Sequence, residues 1–295
     1  MGEVFVFSSS VLLALSTVFA HYLTKGINPL VIVLYTFSIA FILFNLIELR
    51  NKSFLLLVKA NWRWVIFVNI TTALDWLLIF IALKYISAAL INCFVFGLAP
   101  VVTLLLTLKT YSSKKLFLKD LITCILISLL LISLSIVYYQ NNSSSSFSNT
   151  DIFLGIFLSC ISGIATGATV YGCKVLHSLR FSTNLVMRSR FLIIIIMALV
   201  ILTFNHVSLY LPTSSVTNII LLSFLFVVFP TFLLQKGIEH TLPVVTTIIT
   251  SLVPVLTYLF QFFEPGFIFR WKELFIIVIL SSIVILATFL KQKNG

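Results

Sequence analysis

ALKYISAALINCFVFGLAP, residues 82–100, opens with a short charged turn and runs into a long apolar helix with a proline inside it. Just upstream, in LDWLLIF, Asp75 places an acid within a hydrophobic segment. A weaker copy of the stretch, KGIEHTLPVVTTIITSLVP, spans residues 236–254. In it Thr241 lies under Ser87, Thr246 under Asn92 and Pro254 under Pro100. Two related strings in one chain make a duplicated helical plan the first hypothesis for the fold.

Composition decides where that plan sits. The chain has 295 residues, 60 % of them hydrophobic and 9 % charged, against about 25 % charged in soluble domains. A water-soluble protein this apolar could not cover its surface. An integral membrane protein is expected, and a bilayer admits only helices or a closed barrel because it offers backbone groups no water. Unbroken runs such as FLIIIIMALVILT, residues 191–203, select helices over the alternating segments of a barrel. The net charge of +11 is read as loop charge that sets topology, so no nucleic-acid partner is expected. Cys93, Cys124, Cys160 and Cys173 lie apart inside apolar runs. They read as small packing residues, and neither a metal nor any other cofactor is expected. The first apolar run is read as the first span, not as a cleaved signal.

A spanning helix needs about 20 mostly apolar residues. Ten stretches qualify, near 4–23, 30–48, 63–83, 87–108, 117–138, 151–173, 186–206, 216–234, 242–262 and 273–290. With the N-terminus in the cytoplasm, 15 of the Lys and Arg residues fall on the inner side and 4, Lys25, Lys84, Arg270 and Lys272, on the outer. That bias predicts both termini inside and an even number of spans. The polar stretch QNNSSSSFSNT, residues 140–150, reads as a flexible linker between a first unit, 1–139, and a second, 151–295. Further echoes join the units: LKDL (118–121) and WKEL (271–274), Tyr22 and Tyr171, Lys25 and Lys174. Five spans followed by five related spans must place the second copy upside down. The expected fold is an all-α integral membrane protein of ten transmembrane helices in two inverted five-helix repeats, with a substrate site near midplane between them.

Residues Ala82, Leu83, Tyr85, Ile86, Ser87, Ala88, Ala89 and Pro100, with the weaker Gly237, Thr241, Pro243 and Pro254, resemble the junction between third and fourth spans of the drug/metabolite transporter superfamily. The EamA-type branch is the most similar. The resemblance covers nearly the whole chain and implies a transport role, but no cargo. Members of the family often carry an arginine in the second span; here Tyr35, Thr36 and Phe37 stand there, while the second unit has Arg188 and Arg190 at the corresponding place.

Asp75 is the sharpest chemical signal. About 11 residues into its helix, it lies roughly 17 Å deep in a core about 30 Å thick. An acid there costs at least ~2.5 kcal/mol unless it faces a cavity or a partner, which suits a proton or cation site as well as a structural hydrogen bond. Arg188 and Arg190 have two placements. A seventh span starting near Phe191 leaves both at the inner interface, and one starting near Thr183 carries Arg188 inward. Arg188 is the expected carboxylate partner, since its fork matches a carboxylate. Tyr35 and Trp76 are deep enough to wall a pocket. Asn92, Thr247 and Ser251 either line the pathway or tie helix to helix. Pro100 and Pro254 remove backbone hydrogen bonds and are expected to kink or gate their helices. Ser159, Gly163 and Gly167 form a small-residue ladder for close packing.

These readings lead to a secondary transporter that moves a small polar metabolite by alternating access, driven by a proton or an exchange gradient. An acid in one unit and an arginine in the other suit a zwitterion of amino-acid type. The alternative is an organic-cation or drug transporter using Asp75 and aromatic rings as its cation site. An enzyme is not expected: no HExxH, no second intramembrane acid and no Ser–His pairing occur. The expected setting is a bacterial inner membrane, with a small-molecule substrate and lipid as partners and either a monomer or a homodimer as the assembly.

Overall fold

Apolar runs bounded by caps and prolines become helices along the whole chain. The computed structural model describes residues 1–24, 26–51, 53–107, 114–142, 149–211, 213–263 and 270–292. Most of the expected linker, 143–148, lies outside these residues, as do Lys25, Lys52, Lys109 and Lys293 of the charge pattern. The helices are α1 (Gly2–Thr24), α2 (Pro29–Ile47), α3 (Phe54–Ala60), α4 (Trp62–Ala82), α5 (Ala88–Leu106), α6 (Lys114–Asn142), α7 (Asn149–Ser178), α8 (Thr183–Ser189), α9 (Leu192–Phe204), α10 (Thr213–Leu222), α11 (Phe229–His240), α12 (Pro243–Thr250), α13 (Val253–Phe260) and α14 (Trp271–Gln292). No strand occurs among the described residues.

Eight stretches among the described residues are long and apolar enough to cross a membrane: Gly2–Leu23, Pro29–Ile47, Trp62–Ala82, Ala88–Leu106, Thr150–Ser178, Thr183–Phe204, Ser215–His240 and Pro243–Phe263. Each overlays one expected span. The helices α6 and α14 cover 117–138 and 273–290, where the other two are expected. This is a multi-pass integral membrane protein.

Local chemistry sets the boundaries. Asn28 caps α2, its Oδ1 accepting from the Leu30 amide at 3.0 Å, and Pro29 follows it in the first turn, where a missing N–H costs nothing. Ser87 and Ser182 cap α5 and α8 in the same way. The ALKYIS turn is therefore a helix stop and a capped start. In the second copy the cap moves by one: Leu242, extended, precedes Pro243, while the Thr241 hydroxyl bonds Thr246 at 2.7 Å. Three spans are interrupted. The seventh breaks between α8 and α9 at Arg190–Phe191. The eighth passes through a π-helical turn, Ser223–Val228, in which the Phe229 amide reaches back five residues to the Phe224 carbonyl. The ninth breaks at Ser251–Leu252, just before Pro254. By contrast α5 continues through Pro100.

Packing brings particular helices together. α4 and α5 lie against α7; α1 lies against α11, α12 and α13. α2 meets α9, α5 meets α12 and α13, and α6 meets α14. The small-residue ladder is used as expected: a Cβ on Gly167 would lie 2.6 Å from the Ala99 carbonyl oxygen, and one on Gly163 would lie 2.8 Å from those of Phe94 and Val95. Only glycine lets α7 approach the α5 backbone this closely.

Candidate functional site

A cavity of about 50 Å³ lies inside the bundle, walled by α1, α4, α5, α7, α11, the π-turn and Arg190. Asp75 is on its wall, 7 % exposed. The Asp75 Oδ1 accepts hydrogen bonds from Thr166 Oγ1 at 2.6 Å and Ser162 Oγ at 2.9 Å, and the Ser162 hydroxyl also faces the Asp75 carbonyl at 3.0 Å. Both donors come from α7, so the acid is tied to that helix. Thr169 lines the same wall one turn on. Sequence reasoning missed Ser162, Thr166 and Thr169, although their spacing of four and three along α7 puts polar groups on one face of an apolar helix, a signal that could have found them.

Arg190 is the cavity arginine. It is 3 % exposed, lines the cavity and acts on Asp75 by charge, with no ion pair joining the two among the described residues. Its Nη1 donates to Gln235 Oε1 at 3.3 Å, and its Nε has no hydrogen-bond partner. Arg188, the expected partner of a substrate carboxylate, points elsewhere. Its Nε donates to Asn45 Oδ1 at 3.0 Å, its Nη1 to the Glu48 carbonyl at 2.7 Å, and its guanidinium stacks 4.0 Å over Phe54. It fastens the end of α2. Residues two apart on a helix face different directions, so the chain could present one arginine to the cavity and the other to the rim. The span does start at Thr183, the deeper of the two anticipated positions, and yet it is Arg190 that reaches the cavity. Arg190 is thus a buried residue and not a loop charge.

Of the other expected residues, Trp76 lines the cavity, 6 % exposed, edge-on to Phe226 at 5.0 Å and Phe37 at 5.3 Å. Its indole Nε1 has no partner, nor has Thr169 Oγ1. Asn92 lines the cavity too, and its amide donates to Thr257 Oγ1 at 2.8 Å, tying α5 to α13. Tyr35 does not reach the cavity: its hydroxyl donates to the Leu209 carbonyl at 2.9 Å, in the connection after α9. Thr247 and Ser251 lie outside the cavity wall. The Thr247 hydroxyl bonds carbonyls of its own helix, and the Ser251 hydroxyl is shared between the Phe96 carbonyl at 3.0 Å and the Thr247 carbonyl at 2.9 Å. Pro100 explains the Ser251 bond: lacking an N–H, it leaves the Phe96 carbonyl four residues back without its helical donor.

Phe229 falls under Asp75 by the offset that sets Pro254 under Pro100. It is 51 % exposed on the outer surface, while Phe226 and Thr231 reach the cavity. The extra residue of the π-turn shifts the register, a feature often found at functional sites. No acid stands at the place that corresponds to Asp75 by that offset.

Residues 1–139 match the model of the EamA-like transporter family. No curated protein matches the chain. A solved structure described only as "Crystal structure of protein" superposes with a TM-score of 0.71 over 98 % of both chains at 14 % identity. At that identity the likeness speaks for the fold alone.

Proposed function

We propose that the chain, whose residues 1–139 match the model of the EamA-like transporter family, is a membrane transporter of that family and a secondary transporter for a small zwitterion of amino-acid type. The observation that carries this is the pairing of Asp75 and Arg190 in one buried cavity with three unpartnered donors, Arg190 Nε, Trp76 Nε1 and Thr169 Oγ1. Buried donors without acceptors are costly. A cargo carboxylate would satisfy them, and a cargo ammonium would neutralise Asp75. A guanidinium in the same cavity disfavours the organic-cation alternative, because it would repel a permanent cation.

The transport cycle is alternating access across ten spans in two inverted repeats. The packing supports that plan. Exchanging each span with the one five places along turns the α4–α7 contact into α11–α1, and the α5–α7 contact into the contact of α12 and α13 with α1. The pairs α2–α9, α5–α13 and α6–α14 map onto themselves. Asp75 is the group that would take up a coupling proton, with both termini in the cytoplasm of a bacterial inner membrane. Asp75→Asn tests the reading. Its amide oxygen still accepts from Ser162 and Thr166, so the fold is kept while the charge is lost. Amino-acid uptake driven by a pH gradient in proteoliposomes is expected to disappear in Asp75→Asn; uptake at the wild-type rate would refute the proposal. Competition by amino acids but not by quaternary ammonium compounds separates the two cargo classes.

A further inference from the structure

Behind Arg190 a line of polar side chains leaves the cavity toward the end of the bundle where α7 stops. Arg190 Nη1 donates to Gln235 Oε1 at 3.3 Å. Gln235 is wholly buried on α11, and its Nε2 lies 2.6 Å from His177 Nε2 on α7. His177 Nδ1 lies 2.9 Å from the Phe181 carbonyl. These three contacts fix every proton in the line. An arginine can only donate, so Gln235 must turn its oxygen to Arg190 and its NH₂ to His177. His177 Nε2 must then accept, and its proton must sit on Nδ1, donated to Phe181. One neutral tautomer satisfies the whole chain of contacts.

Protonating His177 undoes it. With a proton on both ring nitrogens, Nε2 becomes a donor and faces another donor. The Gln235 amide resolves the clash by turning over, offering its oxygen to His177, and then its NH₂ faces the Arg190 guanidinium. Arg190 loses the acceptor that holds it and is free to move toward Asp75 or cargo. We propose that Gln235 and His177 are positioning residues for Arg190, so that the protonation state of His177 sets whether the cavity arginine is held back or released. The inference rests on the reading of the Asp75 cavity as the cargo site. The charged groups acting on His177 are Glu239 from α11 and Lys174 on its own helix. Lys174 is engaged on the Ile238 and Glu239 carbonyls at 3.0 Å, and Glu239 accepts from Thr183 at 2.7 Å and pairs with Lys236 at 3.1 Å. Those groups are fastened to one another, and the Gln235 amide, which also bonds the Cys173 thiol on α7, is the part of the line that turns.

Trp76 reports on Arg190 from inside the cavity. In the full chain with Trp62, Trp64 and Trp271 replaced by Phe and Asp75 by Asn, so that the cavity acid beside Trp76 does not titrate, Trp76 fluorescence titrated over about pH 5 to 8, the range of histidine, is expected to show one step. His177→Gln, neutral and able to accept from Gln235, is expected to abolish the step and hold the signal at its alkaline level. Gln235→Leu, which offers Arg190 no acceptor, is expected to hold it at the acidic level. Two variants locked at opposite ends are not the signature of a structural role. No step in the parent, or a step that survives in His177→Gln, overturns the proposal. Nitrogen NMR of labelled histidine in the wild-type chain tests it without any variant: neutral His177 must carry its proton on Nδ1, and the Nε2–H form would overturn it. Neither readout uses cargo, so this relay and the transport reading fail separately.

Discussion

At the scale of single residues, the two arginines two positions apart have opposite work. Arg188 has every contact of a fastener: Asn45, the Glu48 carbonyl and the face of Phe54. Arg190 has one amide acceptor, an unpartnered Nε and a cavity. Hydrogen bonds from a charged group contribute about 1.5–3 kcal/mol. Arg188→Ala is therefore expected to lower stability by about that much in a denaturation series, with uptake per folded molecule unchanged. Arg190→Lys keeps the charge but loses the fork, and is expected to weaken cargo affinity about tenfold or more, in line with the 1–3 kcal/mol of an unsatisfied polar partner. Wild-type affinity in Arg190→Lys, or lost uptake in a well-folded Arg188→Ala, would reverse the assignment. Asp75 was legible because an acid in an apolar run has few bland explanations. Its donors show in the sequence only as polar groups on one face of α7, and their meeting with Asp75 does not show, since Ser162 and Thr166 stand 87 and 91 residues away in the chain. The choice between Arg188 and Arg190 depended on the rotation of one short helix, α8, which no pattern of apolar residues reports.

At the scale of elements, the spans were legible and their interruptions were not. Hydropathy over about 20 residues marks a span whatever its partners, but whether a proline breaks a helix depends on who receives the carbonyl it frees. Pro100 and Pro254 look alike in sequence. The first sits in an unbroken α5 because Ser251 Oγ, from the other unit, donates to the Phe96 carbonyl. The second follows the break at Ser251–Leu252, where the Ser251 amide closes α12 on the Thr247 and Ile248 carbonyls. One serine thus both ends a helix and repairs its counterpart. The consequence is measurable by a double-mutant cycle. Ser251→Ala is expected to cost about 1 kcal/mol, the range for a hydrogen bond between membrane helices, by leaving the Phe96 carbonyl bare. In a Pro100→Ala background the backbone N–H regained at that position serves the carbonyl along the helix, and the same Ser251→Ala change is expected to cost less than about 0.3 kcal/mol. Equal costs in the two backgrounds would mean that the Ser251 bond is incidental to the proline.

At the scale of the molecule, the proposed two units differ in charge, with Asp75 in the first and Arg190 in the second, and the cavity that both line is small. Pockets that hold a metabolite enclose about 300–1,000 Å³, while this one offers about 50 Å³, room for a few waters. Cargo cannot enter without a parting of helices, and the reciprocal contacts supply two equivalent places to part. If α4 and α5 separate from α7, the cavity opens on one side of that contact; if α11, α12 and α13 separate from α1, the related opening is on the opposite side. Both openings at once would make a channel, and a channel could not hold a gradient. The proposed cycle therefore requires a cavity reachable from one face at a time. Thr169→Cys, in a background with Cys93, Cys124, Cys160 and Cys173 changed to alanine, puts a reactive thiol on the cavity wall. Membrane-impermeant maleimide applied to sided vesicles is expected to label it from either face, and added amino-acid cargo is expected to raise the rate from one face while lowering it from the other. Rates that rise together from both faces would identify a pore and exclude alternating access, whatever the fate of the Asp75 variants.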